Sequence, residues 1–146
     1  KGFPNLTDND WLHGGTPEKI RETLEKGRIG NMPPMAAAVG SPEDVRNLSH
    51  YVLSLSGSPH DSLRASLGKA KFAACAACHG MDGKGNQELG APNLTDGLWL
   101  YGGDRDSIYR SIFYARNGSM PAWTGRLDEA TLKMLAIYVH ALGGGR

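Results

Sequence analysis

The sequence has few of the features that usually mark a structural class at once. It contains only two cysteines, no run approaching the roughly 20 apolar residues of a membrane-spanning helix, and a formal net charge of +1. A disulfide between these cysteines, which lie close together in the chain, would close too small a loop to stabilise a fold. The near-neutral charge gives no indication of nucleic-acid binding. These absences argue against a disulfide scaffold, a membrane span within these residues and a basic nucleic-acid-binding domain.

Both cysteines belong to one motif, Cys75-Ala76-Ala77-Cys78-His79, which has the pattern C-x-x-C-H. Thiols at this spacing lie on one side of a helical turn, where they can form thioethers with the two vinyl groups of a haem. The adjacent imidazole then lies beneath the haem iron as an axial ligand. The motif predicts that this chain binds one haem c covalently through Cys75 and Cys78, with His79 on the iron.

Two other interpretations of the cysteine pair remain open at this point. A structural zinc site needs four ligands, so it would require a distant histidine in addition to the three motif residues. A thioredoxin-like redox pair would follow a β-strand, whereas residues 66–74 are typical of a short helix and residues 80–85 of a glycine-containing loop. The covalent haem is therefore the favoured interpretation.

The sequence also repeats itself, at an offset of 88 residues that becomes 87 after a one-residue deletion. This many matches in the same order are not a chance event. The matching positions, first copy before second, include residues 4–8 and 92–96, Arg28 and Arg116, Met32 and Met120, Leu48 and Leu135, and Tyr51 and Tyr138.

The repeat predicts a domain organisation and a second haem. Residues 1–57 would be the distal, methionine-bearing half of a first domain, residues 58–62 a linker, and residues 63–146 a complete second domain. A C-x-x-C-H motif for the first copy would fall about a dozen residues before Lys1. We therefore expect the intact protein to bind a second haem with Met32 as an axial ligand. Alternatively, the first copy has lost its haem and kept only its packing.

Glycine and proline are abundant, with 20 and 8 residues, so the chain is too rich in loops for a bundle of long helices. The expected fold is all-α, with no β-strand of any length and with long loops that wrap the haem. Apolar periodicity and capping residues predict helices at about 16–26, 41–55, 63–74, 104–116 and 128–142, with a methionine-bearing loop at 117–127.

Residues 63–146 resemble a class I cytochrome c domain, in which a helix bearing a glycine and an aromatic residue crosses a C-terminal helix bearing an aromatic residue. Gly68 and Phe72 match the first helix, and Leu135 and Tyr138 match the second. The resemblance implies that these two helices pack on each other.

A more specific resemblance covers nearly the whole chain. The paired segments at 3–11 and 91–103, the Gly-Ser-Met-Pro-Ala-Trp segment at 118–123 and the segment at 51–57 are similar to the dihaem cytochrome subunit of cbb-type haem-copper oxidases. The sequence departs from that family in three respects. It has neither the first haem motif nor an N-terminal membrane anchor, and it has Pro-Met at 34–35 where the second copy has Ala-Trp at 122–123.

The resemblance implies particular residues around the haem. Met120, which lies in a predicted loop rather than on a helix face, would be the second axial ligand. The backbone carbonyl of Pro92 would accept a hydrogen bond from His79 and fix its tautomer. Apart from the resemblance, Arg116, Trp123 and Arg126 flank the methionine loop and are donors that could hydrogen-bond the haem propionates; alternatively, they serve as ordinary surface charge and core packing.

The resemblance also implies a function. The chain would be an electron-transfer subunit, not an enzyme by itself, that passes electrons from a donor cytochrome or a quinol-oxidising complex to the core of a terminal cbb-type cytochrome c oxidase in aerobic respiration. Its partners would be the catalytic and monohaem cytochrome subunits on the periplasmic side of the bacterial inner membrane. We expect the intact protein to be anchored in that membrane upstream of Lys1.

Other functions share part of this chemistry. A soluble dihaem shuttle, or the cytochrome subunit of a dehydrogenase, would transfer electrons in the same way but between different partners. A haem peroxidase or a gas sensor would instead keep the sixth position of the iron open. The spin state of the ferric protein distinguishes these classes.

Overall fold

The computed structural model of the protein describes residues 2–145. Short helices joined by long loops make up most of it, as the glycine and proline content predicts. Within residues 2–145, no helix combines the length and the apolar character that crossing a membrane requires. In chain order the elements are α1 (Pro17–Lys26), β1 (Arg28–Met32), α2 (Ala36–Val39), α3 (Pro42–Leu55), α4 (Ser62–Lys69), a 3-10 turn (Ala70–Phe72), α5 (Ala73–His79), α6 (Arg105–Tyr114), β2 (Arg116–Met120) and α7 (Glu129–Ala141).

Polar side chains fix where the longer helices begin. The hydroxyl of Ser41 accepts a hydrogen bond from the backbone N–H of Asp44, and the Asp44 carboxylate accepts one from the N–H of Ser41, so α3 begins with a capping box. The predicted starts of the longer helices agree with the structure within one residue. The other side chains that cap a helix in the same way are Thr16 for α1, Asp61 for α4, Asp104 for α6 and Asp128 for α7.

The helix predicted at 63–74 consists of two helices with a turn between them. α4 ends at Lys69, the 3-10 turn follows, and α5 carries the C-x-x-C-H motif to its last residue, His79. A tightened turn of this kind is a frequent connector between helices. It separates the helix that packs on α3 from the helix that carries the motif.

The structure is mainly helical, but the expectation that it contains no β-strand is wrong, because β1 and β2 form a two-stranded antiparallel sheet. Met120, expected in a loop, is the last residue of β2. Neither strand has a buried residue, and each contains a glycine and at most two apolar side chains, so they lack the apolar alternation from which a strand can be predicted. The register places Arg28 opposite Met120, Gly30 opposite Gly118 and Met32 opposite Arg116.

The helix that leads toward the motif packs on α3, not on α7. The Phe72 ring meets the Tyr51 ring edge-on, with the ring centroids 5.3 Å apart. At Gly68 the backbone of α4 lies so close to α3 that an added Cβ would overlap the carbonyl oxygen of Asn47. Tyr138, the expected partner on α7, is 63% exposed. The predicted pairing with the C-terminal helix is therefore wrong.

A short connection and a shared core explain this pairing. Residues 56–61 join α3 to α4, and connections of this length favour antiparallel neighbouring helices. The backbone N–H of Asp61 donates a hydrogen bond of 3.0 Å to Nδ1 of His50, which holds the connection against α3. The apolar face of α3 is thus covered by the part of the chain assigned to the second domain. The buried residues of this core are Val39, Val45, Leu48, Val52, Leu53, Phe72, Cys75, Ile108 and Ile112.

The first and last long helices pack on each other. α1 lies against α7, and Arg21 forms an ion pair with Glu129, 108 positions away, at 3.3 Å between nitrogen and oxygen. Near the end of α7, Nδ1 of His140 lies 2.9 Å from the carbonyl oxygen of Gly15, to which it donates a hydrogen bond. The packing of α1 on α7 therefore joins helices that are distant in the sequence.

We expect the protein to lose stability as His50 becomes protonated. Burial, opposed in part by the nearby Asp61 carboxylate, lowers the pKa of His50 below its usual value of 6.5. The folded state then binds fewer protons than the unfolded state, so the free energy of unfolding falls as the pH decreases below 6.5. Urea unfolding at about pH 7.5 and about pH 5.5 measures this loss.

A His50→Gln variant keeps a hydrogen-bond acceptor for Asp61 but does not titrate. It should lose less stability than the parent protein between the two pH values. His60→Gln, at an exposed position on the same connection, should behave as the parent does. An equal loss in the parent and in His50→Gln would contradict this assignment.

Candidate functional site

The C-x-x-C-H motif occupies the last five residues of α5. Cys75 is 9% exposed and belongs to the core, Cys78 is exposed, and His79 is 7% exposed. Neither cysteine is in a disulfide. Residues three and four apart in a helix lie on the same side, so Cys78 and His79 lie on the same side of α5 as Cys75.

The electrostatic surroundings of Cys75 favour its neutral thiol. Burial, with a smaller contribution from Cys78, raises the pKa of the Cys75 thiol to about 11. A redox-active or zinc-binding cysteine needs an accessible thiolate, which a low pKa provides. Within residues 2–145, no three His, Cys, Asp or Glu side chains are grouped so that they could hold a metal ion. A thioether, which carries no charge, suits a buried Cys75 better than either alternative.

The loop after α5 fixes the orientation of the His79 ring. Nδ1 of His79 lies 3.0 Å from the carbonyl oxygen of Pro92. Since a carbonyl can only accept, Nδ1 carries the proton and Nε2 is left free as a metal ligand. Two backbone hydrogen bonds bring the loop back, from Gly85 to His79 at 2.8 Å and from Leu94 to Gly83 at 2.7 Å. Pro92 therefore makes the contact that the family resemblance implies.

The residues around the motif fit a covalent haem. The motif supplies two unpaired thiols and an imidazole with one free nitrogen, which is the donor set of a c-type haem. Apolar side chains that are only partly buried pack against the cluster that contains Cys75, so apolar surface remains for an aromatic macrocycle to cover. These side chains include Met32, Met35, Ala74, Leu94, Trp99, Tyr109 and Phe113.

Met120 lies elsewhere. It is 36% exposed at the end of β2 and lines an open cavity of about 500 Å³ together with His13, Gly27 and Arg28. The residues of the motif are not among those that line this cavity. The structure therefore brings His79 and Pro92 together but places Met120 on the side of the molecule that contains α1.

The three side chains predicted to contact the propionates lie on different sides of the molecule. Arg116 is beside α6, whereas Trp123 and Arg126 are on the side that contains α1. Arg116 donates a hydrogen bond of 2.9 Å to the Ser111 hydroxyl on α6, and its guanidinium lies 4.6 Å from the centroid of the Tyr101 ring. Trp123 follows Met120 toward α1, and Arg126 lies over its ring at 5.7 Å from the centroid. Their contact with propionates stays a prediction.

Sequence reasoning missed the contribution of the first copy of the repeat to this site. Met32 and Met35 pack against the core cluster, and Tyr51 contacts Phe72 in the place expected for Tyr138. The available signal was the repeat, which matches Tyr51 with Tyr138 and leaves open which of them packs on Phe72.

Comparison with known proteins shows to which family the chain is similar. A family model described as cytochrome c oxidase, cbb3-type, subunit III matches residues 65–139. The cbb3-type cytochrome c oxidase subunit CcoP of Rubrivivax gelatinosus is 61% identical over 142 residues, which cover 97% of this chain and 47% of that protein. Subunit FixP of Azorhizobium caulinodans is 51% identical over 156 residues, covering 100% of this chain and 53% of that protein.

A third relative, subunit CcoP of Cereibacter sphaeroides, is 45% identical over 155 residues, covering 99% of this chain and 53% of that protein. The chain thus spans about half the length of the curated relatives that it matches.

Proposed function

Because this chain belongs to the family of subunit III of cbb3-type cytochrome c oxidases, we propose that it passes electrons through a covalently bound c-type haem to the catalytic core of such an oxidase. The observation that carries the proposal is the geometry of the motif. One short helix presents two free thiols and an imidazole whose ring orientation is fixed by the Pro92 carbonyl.

The side chains of the motif would attach and orient the cofactor. Each thiol of Cys75 and Cys78 would add across one vinyl group, so that sulfur bonds to one carbon and the thiol hydrogen goes to the other. Nothing leaves and no oxidant is consumed in this addition. Nε2 of His79 would bind the iron, because its Nδ1 proton is held by Pro92.

The rest of the site would control the redox properties. When bound, the haem supplies a one-electron Fe(III)/Fe(II) couple, and a thioether as the second axial ligand favours Fe(II) and raises the reduction potential. The apolar side chains Leu94, Trp99 and Phe113 would exclude water from the group they surround, which also disfavours the more highly charged ferric state. A site with a raised reduction potential can accept electrons that are later transferred to oxygen.

The sequence repeat extends the proposal to the intact protein. We propose two cytochrome c repeats in tandem, of which residues 1–57 belong to an incomplete first copy and residues 63–146 form a complete second copy. A second C-x-x-C-H motif upstream would bind a second haem, and an upstream anchor would hold both on the periplasmic side of the inner membrane. A donor cytochrome or quinol-oxidising complex would supply the electrons, and the monohaem and catalytic subunits would receive them.

The number of haems and their ligation test the proposal. The chain, produced in a host that matures c-type cytochromes, should show one haem adduct in mass spectrometry after denaturation. The ferric form should be six-coordinate and low-spin, and the reduced form should not bind CO readily. In rapid mixing, the reduced protein should be oxidised by an isolated cbb3 oxidase core that lacks this subunit. A high-spin form that binds CO or peroxide readily would point to a peroxidase or a sensor instead.

A further inference from the structure

The chain between the motif and Pro92 closes on itself just before it reaches the His79 ring. The backbone N–H of Asn86 donates a hydrogen bond of 2.9 Å to the carbonyl of Ala91, and the N–H of Ala91 donates one of 2.9 Å to the carbonyl of Asn86. Pro92, whose carbonyl accepts the hydrogen bond from Nδ1 of His79, follows Ala91 directly. We call residues 86–91 the closed loop. Its position determines where the Pro92 carbonyl lies.

Close backbone packing couples the closed loop to Pro92. Gly85 precedes the loop with a φ of +82°, and a Cβ added there would overlap the carbonyl oxygen of Ala91 and the carbonyl carbon of Pro92. Atoms packed at this density transmit a displacement instead of absorbing it. We therefore expect Pro92 to move with the closed loop.

The first copy of the repeat holds the closed loop from its other side. Nε2 of Gln87 donates a hydrogen bond of 3.1 Å to the backbone carbonyl of Trp11. The His13 ring lies so close to Gly90 that an added Cβ would overlap its Cε1 and Nε2 atoms. Two contacts thus join the closed loop to residues that belong to the first copy.

The contact between His13 and Gly90 depends on the absence of a side chain at position 90. Gly90 has a φ of +65°, in the left-handed region that favours glycine. Burial, with a smaller contribution from Arg28, lowers the pKa of His13 below its usual value of 6.5, so the ring packs on Gly90 in its neutral form at neutral pH. A third contact, the ion pair of Lys19 with Glu88 at 3.8 Å, is exposed and contributes little.

We propose that Trp11 and His13 of the first copy are positioning residues for the haem of the second copy. Through the closed loop they hold the Pro92 carbonyl against Nδ1 of His79, and so they contribute to the reduction potential of the iron. The inference rests on the proposed function. A hydrogen bond from the second ring nitrogen to a carbonyl raises the basicity of a ligating imidazole, which favours Fe(III). The first copy therefore lowers the potential of a haem that the second copy binds.

The test uses the holoprotein of the full chain with His13→Ala and Gln87→Ala combined. These substitutions release the closed loop and leave the motif and Pro92 unchanged, so the haem adduct and the low-spin spectrum should be retained. In the reduced, diamagnetic protein with nitrogen-15 in its histidines, the Nδ1 proton of His79 should exchange with solvent about tenfold faster, because the lost contacts are worth about one hydrogen bond. The midpoint potential should rise.

His50→Ala is the matched control. His50 also fixes a connection by a contact with the backbone, but it does so between α3 and α4, away from the closed loop. Its loss should lower stability and leave the exchange rate and the potential as they are in the parent. His13→Phe keeps a flat ring over Gly90, so in this variant both readings should stay at the parent values.

A double-mutant cycle tests the contact of His13 with Gly90 separately. Gly90→Ala adds backbone strain in any background, but its Cβ meets the imidazole only where His13 is present. The strain cancels in the cycle. Gly90→Ala should therefore increase the exchange rate and raise the potential more in the parent than in His13→Ala, whereas additive effects would mean that the ring does not hold the loop.

The outcomes separate this inference from the proposed function. If His13→Ala/Gln87→Ala carries the haem with the exchange rate and potential of the parent, the inference is overturned and the proposed function stands. An equal shift in His50→Ala has the same meaning, because general loosening would then explain the effect. A parent chain that attaches no haem overturns both.

Discussion

Replacing Cys75 and Cys78 together with alanine is expected to abolish covalent haem attachment completely. Each thiol supplies one of the two thioethers, and residues 2–145 contain no other cysteine that could replace them. The single variants should retain at most a reduced fraction of singly attached haem, because one thioether and the His79 ligand remain. Mass spectrometry of the denatured chain measures the fraction that carries the haem adduct.

Ala76→Ser provides the matched control, since it changes one side chain between the cysteines without removing a thiol. It should keep the full adduct. A double-alanine variant that still carried a haem adduct after denaturation would exclude thioether attachment by these residues, and with it the assignment of the motif.

Gly68→Ala is expected to lower the free energy of unfolding by about 2 kcal/mol. Alanine gains about 1 kcal/mol over glycine in a helix, but the new Cβ would overlap the backbone of Asn47 and Leu48, and overpacking of this kind costs about 1–3 kcal/mol. We place the cost at the upper end, because backbone atoms cannot move aside as a flexible side chain can. The helices α3 and α4 would have to separate along their whole contact. Urea unfolding at constant pH measures the change.

Gly97→Ala is the matched control for this substitution, because nothing lies within 4 Å of the position that its Cβ would take. Its effect should stay within about 0.5 kcal/mol, as for surface substitutions in general. If Gly68→Ala were as mild as Gly97→Ala, the close approach of α4 and α3 would not exist in solution.

The parts of the structure that the sequence predicted well are local. The capping side chains of the longer helices act on backbone groups within the same turn, so they identify helix starts without any knowledge of the tertiary structure. The C-x-x-C-H motif is equally local, and the contact from His79 to Pro92 spans only one loop. Capping and periodicity were sufficient for the helix starts, and the family pattern for the contact from His79 to Pro92.

The pairing of the two copies could not be read from the sequence, because both copies offer nearly the same side chains. Leu48 and Tyr51 on α3 match Leu135 and Tyr138 on α7, so either helix presents a suitable surface to Phe72. The choice depends on the connections between the elements, which side-chain patterns do not encode. The sheet escaped prediction for a related reason, since backbone hydrogen bonds between two polar strands hold it together.

The packing of α1 on α7 also constrains the order in which this protein can fold. α1 is made before its partner α7, because Glu129, with which Arg21 forms an ion pair, lies 108 positions later in the chain. A contact between such distant residues forms only after a large loop has closed. The entropy cost of closing the loop is incurred before the contact stabilises the chain, and this slows folding. α1 therefore remains an uncovered amphipathic segment until α7 has been made. The repeats cannot fold one after the other as they leave the ribosome, so α1 depends on protection from aggregation during that interval.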